Sequence, residues 1–398
     1  MTIKELIMCQ PRACRTDEFE DVISLVNSVF RHNSVQNILT DYPLIFHPSK
    51  VDLMRIIKIN GEIVSHIPIS PREVVAMTDR LKIGIISPTV THPDYRRKGY
   101  GTLCLQDCIR IMETHGWPIS VLWTEEATFP FYQKPGWEAV GIQGKAYFLS
   151  QYNAELFKPG ECEIIPYDPD LHLSSIAKIH NNESYRIERT LEEYKALFNL
   201  PKSKTFIATT SSNVSGYVTV SESSNKPGLI ESGGDRMSVE SLVNFVLKTL
   251  PKNSSIQVPL PLTHTQMGEL LETKMPNMSH PVEEAKGVGH QMVRINDLRL
   301  FLEQIIGHLR IMSKNLKTDL SIYCDESQEP VTIGLNKGSV EISSKKASNT
   351  IRLSRRDLTK VIFGSHHSNK SVDLSGAAED ILQQLFPYYF PVWELDHS

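Results

Sequence analysis

Cysteine is scarce, with six in 398 residues. So few cannot form the disulfide scaffold of a chain this long, which points to a reducing compartment. No run approaches the 18 or so uninterrupted apolar residues of a membrane span. The opening MTIKELIMCQPRACR has no apolar stretch fit for a secretory leader, and the closing WELDHS is no lipidation signal. A soluble, cytoplasmic protein is the expectation. Neither sign of charge dominates: 42 Lys+Arg against 46 Asp+Glu leaves −4, which favours neither nucleic acid nor an anionic membrane as main partner. Metal-site spacing is also missing. Cys104 and Cys108 lie one helical turn apart and Cys9 is near Cys14, but no CxxC occurs, and adjacent His366-His367 make a poor ligand pair. No metal is expected.

What is present is ordinary globular composition, 40% apolar and 22% charged, over a length that suits two or three domains. Thr16 is placed to cap a helix with Asp17 and Glu18 in its first turn and Val22, Ile23, Val26 and Phe30 on one face. Asn60-Gly61 separates two apolar runs, 53–59 and 63–75, and predicts a hairpin. Asp79-Arg80 predicts a turn before a strand over 81–91. A helix then carries Leu105, Cys108, Ile109 and Met112 to His115-Gly116, followed by a buried strand over 119–123.

Pro159-Gly160 reads as a linker. A similar order follows it: a helix around 176–179, a capping box at Thr190 and Glu193, strands over 206–209 and 216–220, a helix over 238–250, a strand over 255–260 and a helix over 263–275. From Gln291, an apolar stripe from Leu298 to Leu309 predicts one helix. Strands over 319–323, 331–335 and 339–343 and helices over 355–363 and 377–385 come after it. The expected division is 1–158, 159–290 and 291–398: two related α/β units, then an α+β unit.

The stretch with most chemical content is Thr89-Val90-Thr91-His92-Pro93-Asp94-Tyr95-Arg96-Arg97-Lys98-Gly99-Tyr100-Gly101-Thr102. A strand enters a loop with three consecutive cations, and the loop enters a helix. Free N–H groups and the positive end of the helix dipole gather at that turn. Gly99 and Gly101 remove side chains that would hold an anion away. The ligand these features predict is a diphosphate or polyphosphate. A P-loop would need Lys and Ser/Thr directly after the last glycine, where Thr102-Leu103 stand, and a dinucleotide fingerprint would need Gly or Ala at Cys104.

Arg96-Arg97-Lys98-Gly99-Tyr100-Gly101 resembles the Arg/Gln-x-x-Gly-x-Gly/Ala loop of the GNAT acetyltransferases. Phe131-Tyr132-Gln133-Lys134-Pro135-Gly136-Trp137 resembles the Phe-Tyr-x-x-x-Gly-Phe signature that follows the last helix of that core. The whole chain resembles the enhanced-intracellular-survival (Eis) family: a GNAT unit, a degenerate GNAT-like unit and a sterol-carrier-protein-like domain. The resemblance implies an acetyl-CoA-dependent N-acetyltransferase. Arg96, Arg97, Lys98, Gly99, Tyr100, Gly101 and Thr102 would anchor the pyrophosphate. Thr89, Val90 and Thr91 would line the pantetheine and offer an amide to the thioester carbonyl, and Ala127 and Thr128 would touch the cofactor.

Tyr132 would be the general acid, since a phenol stays protonated at neutral pH and can reprotonate a thiolate. By resemblance the terminal carboxylate, here that of Ser398, would be the base, with His397 as alternative. Glu125 and Glu126 are further candidates for the amine. The implied acceptor is a primary amine on a small molecule, aminoglycoside-like polyamines included, and the implied assembly is a homo-oligomer such as a hexamer. Two rival readings are a binding protein that senses acetyl-CoA or holds a lipid, and an acetyltransferase of protein lysines or N-termini. The middle unit has Gly233-Gly234 but no basic loop, so it lacks the phosphate-cradling sequence of the first, and whether it binds a ligand is left open by the sequence.

Overall fold

The computed structural model describes residues 10–31, 37–141, 144–222, 227–281, 290–325, 327–364, 376–392 and 394–397. Its contacts divide the chain into two compact units, Met1–Gly141 with Gly289–Tyr388, and Ile142–Val288 with Tyr389–Ser398.

In the first unit, the chain enters a 3₁₀ turn at Thr16–Glu18 and then the helix Phe19–Phe30. Thr16 does not cap it. The cap is Glu18, buried, whose carboxylate accepts the Arg15 N–H at 3.2 Å and Arg12 and Lys58 at 2.7 and 3.1 Å. Those cations hold the carboxyl down at about 2, the Arg12 hydrogen bond contributing most. Val22, Ile23 and Val26 are buried as the pattern requires, while Phe30 turns out to solvent at the helix end.

Asn60 and Gly61, both at positive φ (51° and 88°), close the predicted hairpin between Met54–Ile59 and Glu62–Pro68. The second apolar run is two strands, not one. Glu62–Pro68 stays with Met54–Ile59, whereas Ser70–Ala76 pairs with Asp79–Ile85 in another sheet. The turn lies at Met77-Thr78 rather than at Asp79-Arg80. Asp79 is spent elsewhere, accepting the N–H groups of Gly307 and His308 at 2.8 and 3.0 Å. The strand expected over 81–91 likewise breaks into Asp79–Ile85 and Val90–Thr91.

Helix Tyr100–Thr114 buries Cys104, Leu105, Cys108, Ile109 and Met112 against Ile57, Val64, Ile67 and Leu122. Both thiols are buried, as expected of core cysteines, and Cys108 is pushed up by that burial. Strand Ile119–Thr124 pairs on its far side with His290–Ile295, a segment well over a hundred residues later in sequence. The stripe from Leu298 to Leu309 is two helices, Leu298–Gln304 and Ile306–Met312, broken at Ile305. Leu298, Phe301, Leu302, Ile305 and Leu309 are all core. Strands Lys317–Cys324, Val331–Asn336 and Ser339–Ser343 and helices Arg355–Phe363 and Ala377–Leu385 fall where predicted. Asn349–Leu353 adds an unforeseen strand, parallel to Lys317–Cys324.

The second unit is an antiparallel run, Glu163–Pro166, Ser203–Thr210, Asn213–Ser221 and Gly228–Gly234, continued by Ser255–Pro261 and then Gly144–Ser150. The capping box at Thr190 and Glu193 forms, with bonds of 3.2 and 2.9 Å. Gly160 is docked rather than a free tether. Its N–H donates to Ser241 Oγ at 2.7 Å, and a Cβ there would strike Met237. Cys9 and the His366-His367 pair lie outside the described residues.

Candidate active site

Two parallel strands of the first unit part company to make the site. Asp79–Ile85 runs beside Ile119–Thr124 through Ile85↔Val121, and one more bond joins Ile86 N–H to the Val121 carbonyl at 3.0 Å. The chain then turns away. Val90–Thr91 pairs instead with Ser65 and His66 of Glu62–Pro68. Among the described residues no strand pairing joins 89–91 to 122–124, and the two stretches diverge into a slot.

At one end of the slot stands the N-terminus of Tyr100–Thr114. Its cap is Gly99, at φ 89°, with no side chain to accept the first N–H groups. Arg97 is also left-handed, at φ 60°, and Arg96, Arg97 and Lys98 are exposed around the turn. Lys98 sits over the Tyr95 ring at 4.9 Å, and Arg96 Nε donates to the Thr91 carbonyl at 3.2 Å, tying loop to strand. Nothing lies within 4 Å of where a Gly99 Cβ would be; at Gly101 a Cβ would meet Thr91 Oγ1 at 3.1 Å and Phe131 at 3.4 Å. A helix start with no side-chain cap, two glycines and three exposed cations lie in one short turn, which fits a diphosphate.

The corresponding place in the second unit has a different helix cap. Gly228–Gly234 and Ser255–Pro261 touch as parallel strands at a single pair, Gly228↔Gln257, so a similar wedge exists. The helix that follows, Arg236–Thr249, is capped by Asp235, whose carboxylate accepts the Ser238 N–H and hydroxyl, both at 2.9 Å. Asp235 thus takes the Ser238 N–H, one of the donors that a phosphate at this helix start would use.

Tyr132, on the short helix Phe129–Gln133, is buried in the same apolar cluster as Cys104 and Leu122. Burial lifts its phenol above the ordinary value, and the neighbouring Thr89 hydroxyl pulls the other way. Thr89 Oγ1 is itself buried and closes no hydrogen bond of ordinary geometry. Thr91 Oγ1, two residues along the same edge, pairs with Ser65 Oγ at 3.1 Å. Ala127 and Thr128 lie exposed on the 3₁₀ turn Glu126–Thr128, and the Thr128 hydroxyl bonds to that of Thr124 and to the Glu125 carbonyl. Glu125 and Glu126 are exposed, with Glu126 3.6 Å from His290.

The structure thus brings Gly101 against Thr91 and Phe131, Thr89 beside Tyr132, and Thr124 onto Thr128. Ser398 lies outside the described residues, as does the His397 side chain. Sequence reasoning missed the brace behind the slot helix. Arg55 of Met54–Ile59 donates to Asp107 at 2.5 Å, both buried, and no local pattern links residues so far apart. Among the described residues no group of three His, Cys, Asp or Glu could hold a metal, and no helix is long and apolar enough to cross a membrane.

Residues 10–140 match the acetyltransferase (GNAT) domain family. No curated protein matches the sequence. Among solved structures, a probable N-acyltransferase from Enterococcus faecalis is similar at 15% identity and TM-score 0.75, over 96% of this chain and 99% of that one. A GCN5-related N-acetyltransferase from Kribbella flavida is similar at 15% identity and TM-score 0.68, over 96% and 98%. Eis1 from Mycobacterium abscessus is similar at 14% identity and TM-score 0.60, over 88% and 89%. The GNAT domain makes this chain an acyltransferase.

Proposed function

We propose that this acyltransferase moves the acetyl group of acetyl-CoA to a primary amine on a small molecule. The observation that carries the reading is the uncapped helix at Gly99, ringed by Arg96, Arg97 and Lys98, at the mouth of a slot that holds Tyr132. Acetyl-CoA, as donor, would lay its diphosphate on the N–H groups of 99–102 and its pantetheine along 89–91. An amide at that strand edge would polarise the thioester carbonyl. The free amine attacks that carbon, the C–S bond breaks, and Tyr132 gives its proton to the departing thiolate. Ala127 and Thr128 would flank the cofactor opposite the strand.

The base is proposed from the family resemblance alone: the Ser398 carboxylate, with His397 as alternative. An aminoglycoside-like polyamine as acceptor, a homo-oligomeric assembly and a cytoplasmic setting are proposed on the same ground. So are the three-part division at 158/159 and 290/291 and the sterol-carrier-like reading of 291–398.

The test is release of CoA thiol from acetyl-CoA with a panel of amines. Wild type should turn over, and Tyr132→Phe should lose at least tenfold in kcat, about 1.4 kcal/mol of barrier, with KM for acetyl-CoA unchanged. A chain shortened by residues 397–398 should also slow. Binding of acetyl-CoA without turnover on any amine would overturn the reading in favour of a sensor.

A further inference from the structure

Two threonines flank Val90 where the chain enters the strand Val90–Thr91. Thr91 has its hydroxyl engaged by Ser65 at 3.1 Å. Thr89 does not: its Oγ1 is sealed from solvent with no bond closed, beside the Tyr132 phenol. A buried hydroxyl left unpaired costs about 1–3 kcal/mol. That cost is recovered only in a state that supplies an acceptor. The protonated phenol is a poor acceptor, but a phenolate in the same place is a strong one.

We infer that Thr89 is a positioning residue for proton delivery, its hydroxyl held ready to donate to Tyr132 once the phenol has given up its proton. The inference rests on Tyr132 being the acid. The balance is simple. The Tyr132 O–H bond breaks, its proton goes to the thiolate sulfur to form the thiol, and the charge left on the phenolate oxygen accepts the Thr89 O–H. The proton that the amine nitrogen sheds as the amide forms, passed on directly or through solvent, restores the phenol. Because the bond is made only as charge develops, it lowers the barrier without tightening acetyl-CoA in the ground state. Valine would fill the same space without the hydroxyl, so the side chain's bulk is separable from its donor.

The test compares Thr89→Val and Thr89→Ser with wild type, alone and combined with Tyr132→Phe, by thiol release across pH 6 to 11. Thr89→Val should drop kcat about tenfold with KM for acetyl-CoA within twofold. The alkaline limb of its kcat profile should move to higher pH, because the phenolate loses its donor. Thr89→Ser should recover most of the rate and the limb. On the Tyr132→Phe background, Thr89→Val should cost nothing further. Full additivity would overturn the inference and give the hydroxyl to the thioester instead. An unmoved alkaline limb, or a Thr89→Ser as slow as Thr89→Val, would overturn it also. If Tyr132→Phe keeps wild-type kcat, the acid assignment fails first, and this inference falls with it.

Discussion

Gly101 shows how tightly the slot is drawn at single atoms. Thr91 on the strand and Phe131 on the Tyr132 helix already crowd the place where its Cβ would sit. Gly101→Val should therefore raise the Kd for acetyl-CoA at least tenfold, read by isothermal titration, while Tm changes by only a few degrees. A Kd within twofold would mean that the diphosphate lies elsewhere. The glycines and the three cations stand out in the sequence, because the phosphate site proposed for them demands residue types at fixed spacing. The unpaired hydroxyl of Thr89 was not legible. Threonine is a common residue at strand ends, and only the fold reveals that the Thr89 hydroxyl lacks a hydrogen bond while that of Thr91 has one.

Among the elements, the slot helix depends on a contact made far from its basic end. Arg55 and Asp107 form a buried pair between strand and helix, with Arg110 adding a second bond to Asp107 at 2.6 Å. Removing one partner strands the other charge, so Asp107→Ala should destabilise the fold by about 3–5 kcal/mol in urea unfolding. Loss under 1 kcal/mol would show the pair to be replaceable by water. Element type was readable wherever periodicity is local, as at Asn60-Gly61 or the Thr190 capping box. Errors came where a strand changes sheet, at Ile69 and after Ile86, and where Ile305 interrupts one apolar stripe. Hydropathy records that a residue is buried, not which sheet buries it.

For the whole molecule, both units carry a neutral buried histidine. His66 in the first and His180 in the second are each pushed down to about 3, burial being the largest cause. Unfolded, each titrates near 6.5. Below that pH the unfolded chain binds protons that the native state refuses, so stability falls as pH drops from about 6.5 toward 3. The limiting slope is roughly 1.4 kcal/mol per pH unit for each histidine. Glu18, held at about 2, acts in a lower window: its contribution is full above the unfolded value near 4.3 and disappears as pH falls through 2. Urea midpoints at pH 7, 5.5 and 4.5 should decline steadily, and His66→Gln should flatten the decline. An unchanged midpoint down to pH 5 would contradict the buried, neutral state of both rings.

The pairing of Ile119–Thr124 with His290–Ile295 has a consequence for biosynthesis. A ribosome releases the first strand long before the second exists, at roughly 5–20 residues per second. For some tens of seconds or less, the nascent chain carries an apolar edge, Val121 and Leu122 included, with its neighbour still unsynthesised. Gly144–Ser150 waits in the same way for Ser255–Pro261. Neither sheet can be finished in the order in which it is translated, and a premature stop before residue 290 leaves the slot proposed for acetyl-CoA with one wall unsupported.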